Sequence, residues 1–150
     1  MGGSMTAPNP VGVQRCIRNA LLDAGIEGSR VDAINGHLTA TFADPHEIKN
    51  WAKALGRTEQ NFPFINATKS LIGHSLGAAG GLESIACVLQ VYKGFVHGSV
   101  NCEDLHTDLL PYSNSIVQQT RETPELKILA KASFGFGDVN ACVLFKKWQA

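Results

Sequence analysis

The sequence carries no surplus of charge. Thirteen Lys and Arg balance thirteen Asp and Glu over 150 residues, the pI is near 6.9, and no basic cluster stands out. Strong attraction to nucleic acid or to an anionic membrane is therefore not expected. Long apolar runs are also missing. None approaches the ~20 residues that span a bilayer, and no secretory apolar core opens the chain. Cysteine is sparse and scattered. Cys16, Cys87, Cys102 and Cys142 form no C-x-x-C pair, which argues against a disulfide framework or a zinc site. Reduced thiols in a cytoplasmic setting are expected. Internal repeats and low-complexity segments are absent too.

What remains is the composition of one globular domain, 44% hydrophobic and only 17% charged. The opening "MGGSM" reads as a cloning scar ahead of a second start. Residues 1–7 are thus assigned to a scar or disordered leader and 8–150 to the domain. Along that domain, Asn9-Pro10 starts a helix with Val13, Cys16, Ile17, Ala20 and Leu21 at helical spacing and Gly25 as its stop. "VDAIN" (31–35) reads as a buried strand, followed by the loop "GHLTATFADP" and a helix that Asp44-Pro45 starts and Gly56 stops. "FPFINAT" (62–68) reads as a second strand, "KSLIGHS" as a loop, and residues 76–94 as a long helix, apolar nearly all round and hence buried. Residues 94–124 read as irregular, with "TDLLPYSNS" extended. Residues 127–137 and 140–148 read as a terminal strand hairpin. The sum is an α/β domain with a mixed β-sheet and layered helices.

"GHSLGAAGG" (73–81) admits two incompatible readings. As a G-x-S-x-G elbow it would make Ser75 a hydrolase nucleophile, which requires a strand running straight into the turn. The strand ends early, no histidine follows His106, and no upstream segment supplies an oxyanion hole. In the other reading the chemistry belongs to His74. Two loops, "INGHLTAT" and "NATKSLIGHSLGAAGG", each follow a strand and each carry a histidine, and such loops meet at one sheet edge. His37 and His74 could then donate hydrogen bonds to an oxygen that gains negative charge. Lys69 beside them would favour neutral imidazoles, with Glu83 holding its ammonium. A structural, merely hydrogen-bonded histidine is the bland alternative for either one taken alone.

"INGHLTAT", "NATKSLIGHSLGAAGGLES" and "SFGFGDVNA" resemble, in this order, three signatures of the β-ketoacyl-(acyl-carrier-protein) synthases, the decarboxylating condensing enzymes of fatty-acid and polyketide synthesis. The resemblance covers the chain after its first residues, but only the family's C-terminal half. It implies one half of a thiolase-like fold. It also implies that His37 and His74 bind the thioester carbonyl of the malonyl donor and promote its decarboxylation. Lys69 would tune that pair, with Glu83 as its acidic partner. Thr39 and Thr41 would hold the phosphopantetheine arm. Phe134 would be the gating phenylalanine whose backbone N–H joins the oxyanion hole, and Gly135, Phe136 and Gly137 would continue its loop. No cofactor is expected on the chain itself, because the substrates ride on the phosphopantetheine of acyl carrier protein. Leu38, Phe42 and Asp138 depart from the family pattern.

The family's nucleophilic cysteine belongs to the other half, and no cysteine here stands in its context. Without a thiolate no acyl-enzyme forms, so the chain alone should condense nothing. The expected partners are an N-terminal half bearing that cysteine and acyl carrier protein, in a dimeric assembly. An exposed apolar face should mark where self-association or the complementary chain covers the domain. Two alternatives stand beside this reading. One is a non-catalytic module that binds acyl carrier protein or a full synthase, and the other is a thiolase-type acyltransferase.

Overall fold

The computed structural model describes residues 5, 6 and 8–148. Most of the leader assigned to 1–7 lies outside them, although the Met5 carbonyl accepts a hydrogen bond from the Gly137 N–H at 2.8 Å. The first helix, α1 (Pro10–Asp23), opens as expected, with the Asn9 side chain accepting from the Val11 N–H and Pro10 in the first turn. It closes before Gly25, which takes a φ of 63°. Its buried stripe is Val13, Ile17 and Leu21.

Strand β1 (Ala33–Asn35) leads to α2 (Asp44–Leu55), and β2 (Phe64–Asn66) leads to a single helical turn, α3 (Lys69–Ile72). The "KSLI" segment is thus helical rather than loop. Helix α4 (Ala79–Lys93) follows a 3-10 turn over Leu76–Ala78. Next come the short pair β3 (Phe95–Val96) and β4 (Arg121–Glu122), then β5 (Ile128–Phe134) and β6 (Asn140–Lys146). Two further expectations are corrected here. "TDLLPY" is a 3-10 helix rather than extended chain, and the stretch 94–124 contains the antiparallel β3–β4 pair. Pro111 and the closely spaced turn formers favour the tighter helix, which buries Tyr112 against Phe62 at 5.0 Å between ring centroids.

The main sheet runs β2-β1-β5-β6, with β1 parallel to both β2 and β5 and β6 antiparallel to β5. It is the mixed sheet that the sequence predicts. Alternation along β5 separates two cores. Ile128, Ala130, Ala132 and Phe134 pack with α1 and α2 around the fully buried Trp51, and Leu129 packs with Cys87 and Val91 of α4. Helices thus cover both faces of the sheet.

Helix α4 is buried on one side only. Glu83, Cys87, Gln90 and Val91 face the sheet, whereas Leu82, Ile85, Val88, Leu89 and Tyr92 are 44–71% exposed. This corrects the expectation of an all-round buried helix and meets that of an exposed apolar face. The glycines near its start behave in the same way. A side chain at Gly77, Gly80 or Gly81 would meet nothing within 4 Å, so the close backbone approach they permit is not made within the described residues.

Candidate active site

Because β1, β2 and β5 run parallel, their C-terminal ends and the loops that follow share one sheet edge. A buried amide network fixes that edge. Asn35 Nδ2 donates to Asn66 Oδ1 and Thr68 Oγ1, each at 2.8 Å, and Asn66 Nδ2 donates to Gln90 Oε1 of α4 at 2.8 Å. His37 leaves from β1 and His74 from α3, and their rings meet edge-on with centroids 5.5 Å apart. Phe134, at the end of β5, is buried with its ring 6.3 Å from His37 and 6.5 Å from Trp51.

The His74 ring accepts the Leu76 N–H on Nδ1 at 3.1 Å, which leaves its proton on Nε2 as an outward donor. His37 Nδ1 is buried without a partner. Burial, and then the charges of Lys69, His74 and Lys131, lower the proton affinity of His37 to a pKa of about 4, with Glu83 opposing. His37 is therefore a neutral imidazole at physiological pH. Lys69 donates to Glu83 Oε1 at 2.5 Å, both side chains being almost wholly buried, and burial lowers the pKa of this lysine although Glu83 pulls it back.

The pantetheine candidates lie on a loop drawn tight by Asp44. Its carboxylate accepts the N–H groups of Thr39, Ala40 and Thr41 at 3.1–3.4 Å, and the two threonine hydroxyls are 3.2 Å apart. Asp44 turns back to this loop instead of capping its own helix. Thr39 lines two cavities, of about 300 and 260 Å³, on either side of the imidazole pair; Lys69 and His74 border the first, His37 and Phe134 the second. Thr41 is exposed and lines neither cavity. Gly135 donates to the Val139 carbonyl, Phe136 is 71% exposed, and Gly137 takes a φ of 70° that turns the chain into β6. Asp138 also has a positive φ, 63°, and its carboxylate accepts from Asn9 and Asn140, so the residue that departs from the pattern ties this turn to the start of α1.

Ser75 has none of the geometry of an elbow. It follows a helical turn rather than a strand, and its buried hydroxyl has no hydrogen-bond partner. No thiol is activated either. Burial raises the pKa of all four cysteines, Cys87 and Cys142 to about 12, and acidic neighbours raise Cys102 further. Among the described residues no group of His, Cys, Asp and Glu could hold a metal ion, and no helix is long and apolar enough to cross a membrane.

Two participants escape sequence reasoning. Glu47 of α2 accepts the backbone N–H of His37 at 2.8 Å and of Leu38 at 2.9 Å, and so holds the histidine loop. Gly36 makes room for it, since a Cβ there would come within 2.9 Å of Glu47 Oε1. The available signal was an acid one turn before Trp51, on the buried face of α2. The other is Lys131, in the middle of β5, which pairs with Glu83. A lysine inside the apolar run "KILAKASF" was its signal.

Glu47 and His37 shift in opposite senses, which predicts a pH signature. Burial first, with Asp44 adding to it, pushes Glu47 up from 4.5 to about 7 against its hydrogen bonds from His37, Leu38 and Trp51. Its folded carboxyl prefers the proton, so its contribution is full below pH 4.5 and is lost as pH rises to 7. His37 falls from 6.5 to about 4, so its contribution is full above pH 6.5 and is lost as pH falls to 4. Urea midpoints of Glu47→Gln should therefore fall with acidification from pH 6.5, and those of His37→Asn should rise relative to it. His97, also lowered by burial, acts alike in both variants. Parallel pH profiles for the two variants would contradict the assignment.

A family model described as "Beta-ketoacyl synthase, C-terminal domain" matches residues 2–103. The chain belongs to this family. Its relatives include the chloroplastic 3-oxoacyl-(acyl-carrier-protein) synthase II of Arabidopsis thaliana, 36% identical over 148 residues that cover 97% of this chain and 27% of that protein. Another is 3-oxoacyl-(acyl-carrier-protein) synthase 1 of Haemophilus influenzae, 36% identical over 149 residues covering 99% of this chain and 35% of that protein. Among solved structures, the ishigamide ketosynthase/chain length factor superposes with a TM-score of 0.87 at 32% identity, over 98% of this chain and 35% of that one. A type II ketosynthase in complex with its acyl-carrier protein and bound to a hexaketide gives 0.84 at 31% identity, over 97% of this chain and 36% of that one. This ketosynthase domain thus has a thiolase-like α/β fold and spans about a third of the relatives it matches.

Proposed function

We propose that this domain supplies the donor-activating side of a 3-oxoacyl-(acyl-carrier-protein) synthase and that a complementary half supplies the nucleophilic cysteine. The observation that carries this reading is the edge-on His37–His74 pair, with His37 neutral, beside a buried Lys69–Glu83 ion pair, in a chain whose four thiols are all raised in pKa by burial. A malonyl thioester enters on the phosphopantetheine of acyl carrier protein, with Thr39 and Thr41 along the arm. The bond to its carboxylate breaks, CO2 leaves, and the electron pair passes to the thioester oxygen as an enolate. The imidazole N–H groups stabilise that oxyanion. The enolate carbon then attacks an acyl group held on the other half's cysteine. A C–C bond forms and the thiolate leaves. The Phe134 backbone N–H serves the second oxyanion, and Gly135, Phe136 and Gly137 give its loop room to move.

The unpartnered face of α4 and the open space beside Gly77, Gly80 and Gly81 support a partner that packs there closely. Leu38, whose side chain lines the first cavity, favours a second reading, a module that modulates a complete synthase without condensing. Mixing the chain with an N-terminal ketosynthase half tests both. Co-elution and gain of malonyl-dependent condensation are expected. A stable but inert pair, together with a changed product from an added full synthase, favours the second reading.

A further inference from the structure

Lys131 occupies the middle of β5, a strand buried on both faces, and is itself 3% exposed. Its ammonium meets Glu83 Oε2 and donates to the Ala132 carbonyl at 2.6 Å and to Ser133 Oγ at 2.8 Å. Two hydrogen bonds and one ion pair thus hold the ammonium. The other Glu83 oxygen holds Lys69. One buried carboxylate therefore stands between two buried ammonium groups, and the cluster is net positive. Lys69 and Glu83 alone would form a neutral pair with each charge answered, so Lys131 is not needed to balance Glu83. Burying a further charge is costly.

The strand register indicates where that charge acts. Lys131 stands opposite Asn35 in the β1–β5 pairing, two residues before His37, whose ring meets that of His74 at 5.5 Å. Lys69, His74 and Lys131 oppose a proton on the His37 ring and Glu83 of α4 favours one; Glu47 of α2 holds its backbone N–H. Of these charges Glu83 attracts a proton to the ring, and the two lysines outweigh it. We propose that Lys131 is a positioning residue: by adding a second ammonium to the Glu83 cluster it presents the His37 imidazole as a hydrogen-bond donor to an oxyanion. This deepens the reading of the same site, but its test follows imidazole titration rather than turnover, so either can fail without the other.

The test is a pH titration of the His37 ring nitrogens by NMR in the full chain. Lys131→Met should raise the His37 titration midpoint by at least about half a pH unit, Lys131→Arg should leave it near the starting value, and Glu83→Gln should not raise it. Lys131→Gln keeps a donor for the Ala132 carbonyl without the charge and serves as the second neutral variant. A midpoint within about 0.2 unit of the unsubstituted chain in a folded Met or Gln variant overturns the proposal. Failure of both neutral variants to fold overturns it too, because Lys131 would then be holding the strand rather than tuning the ring.

Discussion

Replacing His37 or His74 with alanine is expected to slow decarboxylation of a malonyl donor by about two to three orders of magnitude in the assembled pair of halves. Acyl transfer to the complementary cysteine should stay near its starting rate. On the proposed reading the two steps separate, because the histidines address the donor oxygen and loading depends on the complementary half's thiolate. The rings sit 5.5 Å apart and edge-on, close enough for their N–H groups to converge on one oxygen between them. The outward proton on His74 Nε2 is set by the Leu76 N–H on its other nitrogen. Asparagine at position 74 keeps a donor in roughly the same place and should recover part of the rate. Release of labelled CO2 and the mass of the acylated partner read the two steps independently. Equal loss of loading and decarboxylation would mean that the histidines hold the interface instead.

Glu83→Gln should cost about 3–5 kcal/mol of stability, since it leaves two buried ammonium groups without their shared counter-charge. The side chain is 1% exposed, so water cannot replace the lost carboxylate. The combined change Lys69→Met, Glu83→Leu and Lys131→Met should recover much of that loss, because it removes the charges along with the need to pair them. Urea unfolding of the chain measures both variants. A loss below about 1 kcal/mol for Glu83→Gln would show the cluster to be hydrated.

The sequence is most legible where a single element fixes the answer. Asn9-Pro10 and Gly25 bracket α1 because capping and left-handed backbone are local chemistry. Loops that follow parallel strands meet at one edge, so the pairing of His37 with His74 is legible in the sequence. Helix α4 was harder to read. Its apolar residues run all the way round, and periodicity alone does not reveal which face the fold leaves exposed. Lys131 escaped for a related reason. Strand patterning sorts residues by face, but the Lys131–Glu83 pair joins β5 to α4 across a separation in sequence that no local rule spans. Asp44 shows the same limit on a smaller scale: its place at the start of α2 was evident, whereas its three bonds to the threonine loop depend on how that loop folds back.

The central claim is that the chain holds one side of an active site and that the nucleophile lies elsewhere. Peptide-mapped mass spectrometry of the assembled pair, after incubation with an acyl thioester and without malonyl donor, tests it directly. The acyl group should appear wholly on the complementary half's cysteine, with none on Cys16, Ser75, Cys87, Cys102 or Cys142. A stoichiometric acyl adduct on any of these five residues would contradict the account.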